Sequence, residues 1–289
     1  MGGDGVIKKK KQWWVMVALF LLFVFAVGFL SFHLGRREGQ AEQNENKEAD
    51  GKPEGSRGAD GGGSETETGM SFGGDCAVAA PCLADGTPCD FSLELAPPSL
   101  VPLADRLIPE LEEQEGIAAA AAFYRRNQGM VCHGMEALQG GSVLGIGPDF
   151  LAASGFQVEK GRGFTERDVE EKRRIALLDG RAAQALFPGL DPVGETVEVE
   201  GRLYQVVGVA DSPQLRTGGG LVLIPESTWS EAYQYMEPKS VALRIAEPVG
   251  ESLTEAEWEA LREETGAYAA RMLNSMVPEK ETIRYQAWE

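Results

Sequence analysis

Few residues in this sequence combine the types and the spacing that catalysis requires. The chain has two histidines, and His133 directly follows Cys132. A thiol and an imidazole can act as nucleophile and base, but adjacent residues of a strand point to opposite faces. No G-x-x-x-x-G-K-[ST] stretch occurs that could hold nucleotide phosphates. The sequence therefore predicts no enzymatic activity and no cofactor.

A triple glycine, Gly218 to Gly220, is the other feature that could bind phosphate. Phosphate-binding loops lead into the N-terminus of a helix. Here the glycines lead into Leu221-Val-Leu-Ile224, a short apolar run that predicts a buried strand. We interpret the triple glycine as a flexible turn.

Four cysteines could form disulfide bonds if they lie outside the cytoplasm. They are Cys76, Cys82, Cys89 and Cys132, and they allow three pairings into two bonds. Two structural bonds are the leading prediction, and reduced thiols are the alternative in an organism that lives without oxygen. A metal site completed by His133 is disfavoured because no C-x₂-C spacing occurs.

Acidic side chains dominate the chain and limit what it can bind. With 45 acidic against 27 basic residues, the formal net charge is −18, which repels nucleic-acid phosphates. The run Asp168, Glu170 and Glu171 predicts a solvated surface. Arg162 lies within reach of Asp168 across a tight turn, and this spacing predicts a structural ion pair rather than a binding site.

The elements that would position these residues begin with a membrane anchor. Residues from Trp13 to Phe32 carry no charge, and about 20 apolar residues suffice to cross a bilayer. No A-x-A cleavage site follows, which disfavours a signal peptide. Lys8 to Lys11 predict a cytoplasmic N-terminus. We predict a cytoplasmic basic tail over 1–12, a single-pass signal anchor in the cell membrane over 13–33, and an extracytoplasmic remainder.

Residues 34–88 have the composition of a disordered linker. Gly, Glu, Asp and Ser dominate, and such a segment buries too little apolar surface to offset chain entropy. A flexible coil transmits no directed motion. The linker therefore predicts that the anchor does not relay movement to the folded region, 89–289.

Periodic apolar residues predict both helices and strands in the folded region. One buried helix face is predicted from residues at helical spacing, which are Leu100, Leu103, Leu107, Ile108 and Leu111. Ser252-Leu-Thr-Glu255 has the capping-box pattern and predicts the start of a long helix. Because strands and helices mix without strict βαβ alternation, the sequence predicts an α+β domain.

A hairpin is predicted from two alternating runs, 196–200 and 203–207, which flank Gly201-Arg202. A two-residue loop with glycine first is typical of a type II′ turn. This register places Val199 opposite Tyr204, with the apolar side chains on one face.

Six short motifs follow one another between Gly145 and Asp211. They read G-I-G-P-D-F, G-R-x-F-T-x-x-D, A-L-L-D, A-L-F-P, D-P-V-G-E and V-V-G-V-A-D. Their principal residues are Gly147, Asp149, Phe150, Gly161, Arg162, Phe164, Asp168, Leu186, Phe187, Asp191, Pro192, Gly194, Val207, Gly208 and Val209.

In this order and with these gaps, the motifs resemble the MacB-like periplasmic core domain of FtsX/MacB-type ABC transporter permeases. The resemblance is sharp over residues 140–225 and loose on either side. It implies a domain of two subdomains: a porter-like part, and a β-rich part inserted at about 125–230.

The resemblance also implies a part in an ABC-type export or lipoprotein-handling system. No apolar segment follows Phe32, so the chain is expected to lack the later membrane helices of a permease. We therefore predict a membrane-anchored, ABC transporter permease-like or accessory subunit. Its expected partners are ABC permease and ATPase subunits, an extracytoplasmic adaptor, or a substrate. A structural or sensing ectodomain without a transporter, and a truncated permease fragment, are the alternatives.

Overall fold

The computed structural model describes residues 71–83, 86, 87, 89, 99–211, 215–216, 219–233, 237–247 and 253–288, all within the unit Ser64–Glu289. The predicted tail, the predicted membrane anchor and most of the predicted linker lie outside these residues. Within the described ranges, no helix is both long enough and apolar enough to span a bilayer.

Strands and helices follow one another along the described part of the chain. The strands are β1 Ser71–Phe72, β2 Cys76–Cys82, β3 Ile117–Asn127, β4 Val131–His133, β5 Glu136–Ala137, β6 Ser142–Ile146, β7 Gln157–Gly161, β8 Ile175–Leu178, β9 Thr196–Val199, β10 Arg202–Asp211, β11 Leu215–Arg216, β12 Leu221–Pro225, β13 Ser240–Ile245 and β14 Arg284–Ala287. The α-helices are α1 Leu103–Glu112, α2 Phe150–Ala153, α3 Glu166–Glu170, α4 Gly180–Leu186, α5 Trp229–Tyr233 and α6 Glu255–Met276, and a 3₁₀ turn spans Glu226–Thr228.

Most of the described strands belong to one large mixed sheet. Its order is β14-β2-β13-β3-β6-β12-β8-β10-β9-β4-β5, and β7 pairs with β10 beside this path. The pairs β8–β10 and β6–β12 are parallel, whereas β2, β3, β13 and β14 pair antiparallel. The fold is therefore a mixture of α and β elements around a large sheet, in keeping with the α+β prediction.

Both faces of the sheet are covered where β2, β3 and β13 lie side by side. On one face, Leu243 packs in a core with Leu107 of α1 and Leu273 of α6. On the other face, Val78 packs in a core with Phe150 of α2. Because alternate residues of each strand point to opposite faces, two covered faces require nearly continuous apolar strands. The run of alanines in β3 meets this requirement with small side chains.

A third core lies beneath α4 and α5. Tyr204 and Val206 of β10 pack there with Leu186, Phe187 and Trp229. All five side chains are buried. Strand β10 therefore contributes to a core that is distinct from the two on either side of β2.

The predicted first helix is confirmed, and its stripe faces the core. Leu103, Leu107 and Leu111 are buried, and Leu100 is buried just before the helix. The long C-terminal helix α6 is also confirmed.

The capping box of α6 was predicted two residues too early. Thr254 caps the helix: its hydroxyl accepts a hydrogen bond from the Glu257 amide at 3.4 Å, and the Glu257 carboxylate accepts one from the Thr254 amide at 2.7 Å. The sequence 252–257 contains two overlapping matches to the capping pattern. Local sequence does not decide between them, since either residue can begin the turn.

The predicted hairpin exists, but its turn and register differ from the prediction. Val199 pairs with Arg202, and Tyr204 pairs with Val197. The two turn residues are Glu200 and Gly201, with φ of 49° and 77°. Two positive φ values are those of a type I′ turn rather than type II′. Because the register differs by two residues, Val197, Val199 and Tyr204 still share the buried face.

The predicted end of the linker at residue 88 is wrong, because strand β2 lies within the segment 34–88. This strand pairs with β13 on one side and with β14 on the other. Its seven residues are all buried. The sequence C-A-V-A-A-P-C lacks large apolar residues and follows a Gly-rich stretch, so its composition resembles that of the linker. Residues 34–70 lie outside the described residues, and their disorder stays a prediction.

The predicted inserted subdomain, 125–230, also stays a prediction. Strand β3 runs across residue 125 without a break and pairs with β13 on one side and β6 on the other.

Candidate functional site

Asp168, the last residue of the G-R-x-F-T-x-x-D motif, carries a buried carboxylate and is 1% exposed. Arg162 donates to both carboxylate oxygens, at 2.6 and 3.1 Å. Thr165 donates through its amide at 3.0 Å and its hydroxyl at 2.7 Å. Arg173 adds a longer contact of 3.4 Å. The structure thus contains the predicted ion pair, whereas the predicted solvated surface is wrong for Asp168.

The spacing of the motif follows from a helix start. Thr165 is the N-cap of α3, and Asp168 occupies the third helical position of a capping box. A carboxylate there also interacts favourably with the helix N-terminus. The hydrogen bonds from the Arg162 side chain hold the pKa of Asp168 well below its usual range, against the opposing effect of burial.

Two glycines allow this turn to lie directly against β10. A Cβ on Gly161 would lie 2.2 Å from the Val207 carbonyl oxygen, and φ at Gly161 is +72°. A Cβ on Gly208 would lie 2.7 Å from the carbonyl oxygens of Lys160 and Arg162. The Arg162 amide donates to the Val207 carbonyl at 3.0 Å. Two motifs separated by some forty residues in sequence therefore meet backbone to backbone.

The D-P-V-G-E motif forms a loop that joins the same strand. The Asp191 carboxylate accepts a hydrogen bond from the Val193 amide at 3.2 Å. The Gly194 amide donates to the Val206 carbonyl at 2.8 Å, and φ at Gly194 is +98°. Lys160 of β7 lies 3.9 Å from Asp191, and both side chains are exposed. This loop leads directly into β9 and is bonded to β10, the other strand of the hairpin.

The remaining motif residues are mostly apolar and buried. These are Phe150, Phe164, Leu186, Phe187, Pro192 and Val209. Val207 is partly buried and packs against the same core as Phe150 and Phe164. Asp149 precedes α2 without a capping hydrogen bond from its side chain, and Gly147 lies close to the carboxylate of Glu226.

Taken together, the motif residues hold segments of backbone against β10. The structure brings together Gly161, Arg162, Asp168, Val207 and Gly208. The A-L-F-P and D-P-V-G-E motifs contact the adjoining part of the same strand, around Tyr204 and Val206. A buried carboxylate whose oxygens are occupied by donors of its own chain serves as an organising group for a turn.

His133 and its neighbour Cys132 lie on β4, beside the A-L-F-P motif. The centres of the His133 and Phe187 rings are 4.2 Å apart, and His133 Nδ1 lies 2.8 Å from the Thr196 carbonyl oxygen. Cys132 pairs with Ala137 on β5 and with Glu198 on β9. The imidazole is therefore engaged in packing and in a backbone contact. Within the described residues, no group of three or more His, Cys, Asp or Glu side chains is placed to hold a metal ion.

The cysteine positions limit which disulfides are feasible. Cys76 and Cys82 are the two ends of β2, so about 20 Å of extended chain separates them. A disulfide requires Cα atoms about 4.4–6.8 Å apart, which removes this pairing. The Cys76 thiol donates to the Ala153 carbonyl at 3.5 Å, and burial together with Asp75 raises the pKa of Cys76 to about 12. The other pairings stay predictions.

A buried charge network surrounds Lys239, and the sequence pattern does not predict it. Lys239 is 5% exposed, and its ammonium group lies 2.8 Å from Asp105 and 2.6 Å from Glu226. The same ammonium lies 4.9 Å from the centre of the Tyr124 ring. Tyr124 stacks on Trp229 with ring centres 5.1 Å apart. The network joins α1, β3, the 3₁₀ turn and the residue before β13.

A second ion pair, largely buried, joins β3 to the segment before β13. Arg126 contacts the carboxylate of Glu237, and its guanidinium lies 4.9 Å from the centre of the Tyr233 ring. The sequence shows only that Arg126 lies near the end of an apolar strand and that Lys239 directly precedes another apolar strand. Such cations are usually solvated, so this signal alone does not reveal burial.

The fold and the motif cluster define a mixed α and β domain whose characteristic residues organise turns and strand contacts. A family model described as the MacB-like periplasmic core domain matches residues 55–261. Because the match covers more than half of the chain, the chain belongs to this family, that of the periplasmic domain of ABC transporter permeases.

Curated relatives match over shorter stretches. A segment of 71 residues is 35% identical to the macrolide export ATP-binding/permease protein MacB 2 of Aeromonas hydrophila, covering 25% of this chain and 11% of the relative. A segment of 93 residues is 32% identical to the macrolide export ATP-binding/permease protein MacB of Syntrophobacter fumaroxidans, covering 32% of this chain and 13% of the relative. The matched stretches thus span a small part of each relative.

Two solved structures are also similar over 74% of this chain. One is the extracellular domain of the noncanonic ABC-type transporter YknZ from Gram-positive bacteria, with 19% identity, a TM-score of 0.49 and 100% of that chain covered. The other is the periplasmic region of MacB from Actinobacillus actinomycetemcomitans, with 18% identity, a TM-score of 0.48 and 89% of that chain covered.

Proposed function

We propose that this protein is a membrane-anchored extracytoplasmic domain that serves as a permease-like or accessory subunit of an ABC-type transport system. It binds a partner protein or a substrate outside the membrane. The observation that carries the proposal is the family match over residues 55–261, which includes the motif cluster around β10. The proposed function includes no catalysis by this chain.

The energy source would lie in another subunit. The sequence contains no Walker A motif, so ATP hydrolysis requires a partner that supplies one. The curated relatives are named ATP-binding/permease proteins, and their names combine both activities. We propose that ABC ATPase and permease subunits, or an extracytoplasmic adaptor, are the partners of this chain.

The uncharged segment from Trp13 to Phe32 supports the proposed anchor. Basic residues before it support a cytoplasmic N-terminus, with the folded domain outside. The two-subdomain division, with a β-rich insertion at about 125–230, is part of the same proposal.

Affinity purification of the full chain from cross-linked membranes of its source organism tests the assembly. We expect co-enrichment of an ABC ATPase and a multi-span permease, measured by quantitative mass spectrometry. The matched control joins residues 1–70 to an unrelated folded domain, so that enrichment due to the anchor alone can be subtracted. Recovery of neither transporter component above this control would contradict the proposal and favour a structural or sensing ectodomain.

Topology is tested separately with a membrane-impermeant maleimide on intact cells. Met135 is 100% exposed, so Met135→Cys gives an accessible reporter in the folded domain. Lys9→Cys reports on the N-terminal tail. We expect added labelling for Met135→Cys relative to the unsubstituted chain and none for Lys9→Cys. The reverse pattern would show that the orientation is opposite.

A further inference from the structure

A cleft of about 500 Å³ lies at one end of the sheet, away from the motif cluster. It lies between the end of α1, the start of β3, the end of β13 and the middle of α6. Ligand sites in proteins commonly enclose about 300–1,000 Å³. The cleft therefore has room for a drug-sized molecule.

The floor of the cleft is apolar and aromatic. It includes Ile117, Ile245, Leu261 and Tyr268, of which Ile245 is buried and the others are partly buried. The Tyr268 hydroxyl donates to the Gln114 side chain at 3.0 Å, which holds the ring in place. An apolar body placed on this floor would remove further apolar surface from water.

The rim of the cleft is negatively charged. Glu115, Glu247 and Glu264 line it, and Arg271 is the basic residue among the lining side chains. Among the described residues, none of these three carboxylates forms an ion pair with a basic side chain. Three carboxylates against one guanidinium favour a cation over an anion. An aromatic floor is also compatible with a cationic group, through the negative face of its ring.

We propose that this cleft binds a small cationic amphiphile, with its apolar body on the floor and its positive group among the three carboxylates. Binding at this site requires only the described fold of this chain, and it does not depend on a transporter partner. A neutral amphiphile uses the floor alone, and an anionic one is repelled by the rim. The charge of the ligand is therefore the property that the site selects.

Photoaffinity labelling of the full chain in phosphatidylcholine nanodiscs tests this proposal. The probe is a benzophenone-bearing alkyl trimethylammonium, and its neutral isostere carries a tert-butyl group in place of the trimethylammonium. We expect the cationic probe to label the α6 peptide that contains Leu261 and Tyr268, with mass spectrometry as the readout. The neutral isostere should label it on the order of tenfold less, as expected for several nearby charges in water.

Two variants of the site separate charge from shape. The triple variant Glu115→Gln, Glu247→Gln, Glu264→Gln should lower labelling by the cationic probe to the level of the neutral isostere. Thr265→Trp, which places a large side chain at a lining position, should abolish labelling by both probes without changing the charge. Circular dichroism and thermal unfolding confirm that each variant is folded.

The matched control removes the same number of charges elsewhere. Glu136→Gln, Glu195→Gln, Glu279→Gln changes three exposed residues outside the cleft and should leave labelling unchanged. Equal loss in both triple variants would show non-specific attraction to an acidic protein and overturn the proposal. Equal labelling by the cationic probe and its isostere, or labelling outside the cleft only, would also overturn it.

Discussion

At the scale of single residues, Asp168 shows how one carboxylate can organise a turn. It accepts hydrogen bonds from Arg162 and from both the amide and the hydroxyl of Thr165. Arg162 also binds the backbone of β10 through its amide. The carboxylate therefore links the helix start to the strand contact.

Replacing Asp168 with Asn should destabilise the fold by about 2 kcal/mol, because a buried hydrogen-bonding partner of Arg162 loses its charge. The loss is limited because the Arg162 side chain is 46% exposed and can be rehydrated. Urea unfolding measures the change. Glu170→Gln, at an exposed position of the same helix, is the control and should be nearly neutral. Equal effects of the two changes would show that the ion pair is unimportant.

The same carboxylate predicts a pH dependence with a definite sign. Since the folded-state pKa of Asp168 is lowered, the ionised form favours folding. This stability is present above the unfolded-state pKa of about 3.9 and is lost as pH falls through the folded-state pKa. The difference in urea midpoint between wild type and Asp168→Asn should therefore shrink from pH 6 to pH 3. A difference that stays constant would contradict the assignment.

Glycine substitutions distinguish close approach from backbone conformation. Gly161 and Gly189 have similar φ values, +72° and +76°. A Cβ added to Gly161 would collide with the Val207 carbonyl, whereas a Cβ added to Gly189 would have no neighbouring atom within 4 Å. Gly189→Ala should cost about 1 kcal/mol through its positive φ. Gly161→Ala should cost more than twice as much, because β7 must move away from β10. Equal unfolding midpoints for the two variants would contradict the close approach.

At the scale of elements, charged and aromatic side chains tie helices to the sheet. Lys239 joins Asp105 of α1 to Glu226 of the 3₁₀ turn. Tyr124 and Trp229 stack beside it, which connects β3 to α5. Elements that are distant in sequence thus share one buried polar contact.

Lys239→Met should lower the free energy of unfolding by about 2 kcal/mol, since two carboxylates lose a buried partner. Their own partial exposure, 48% for Asp105 and 28% for Glu226, limits the loss. Lys160→Met is the matched control, because Lys160 pairs with Asp191 on the surface. It should change stability by less than about 0.5 kcal/mol. If chemical denaturation shows the same small change for both, the buried network contributes nothing.

At the scale of the whole molecule, β2 decides where the folded region begins. It lies between β13 and β14, and all seven of its residues are buried. Helix α6 also lies against it, since a Cβ on Gly266 would be 2.9 Å from the Val78 carbonyl oxygen. Removal of β2 would expose β13 and separate β14 from the sheet.

A fragment comprising residues 64–289 should therefore unfold cooperatively, whereas one comprising 84–289 should not. Both lack the predicted anchor, so the comparison isolates the segment that contains β2. Circular dichroism during urea titration is the measurement. A cooperative transition with the same midpoint in the shorter fragment would show that β2 is dispensable.

The sequence by itself determined the local elements and the family. Helical spacing from Leu100 to Leu111 and the ordered motifs from Gly147 to Val209 depend on neighbouring residues, and such patterns are visible in one dimension. The Arg162–Asp168 pair was also predictable, since six residues across a turn bring the two groups together.

Only the tertiary structure decided the rest, because these features depend on contacts between distant segments. The alanine-rich β2 is a strand because two other strands pair with it, and its composition alone resembled a linker. Lys239 is buried because Asp105, far away in sequence, lies beside it. The hairpin register follows from the position of its turn, in which both Glu200 and Gly201 have positive φ. Burial and pairing are properties of the packed chain, and neither is contained in the local pattern of residues.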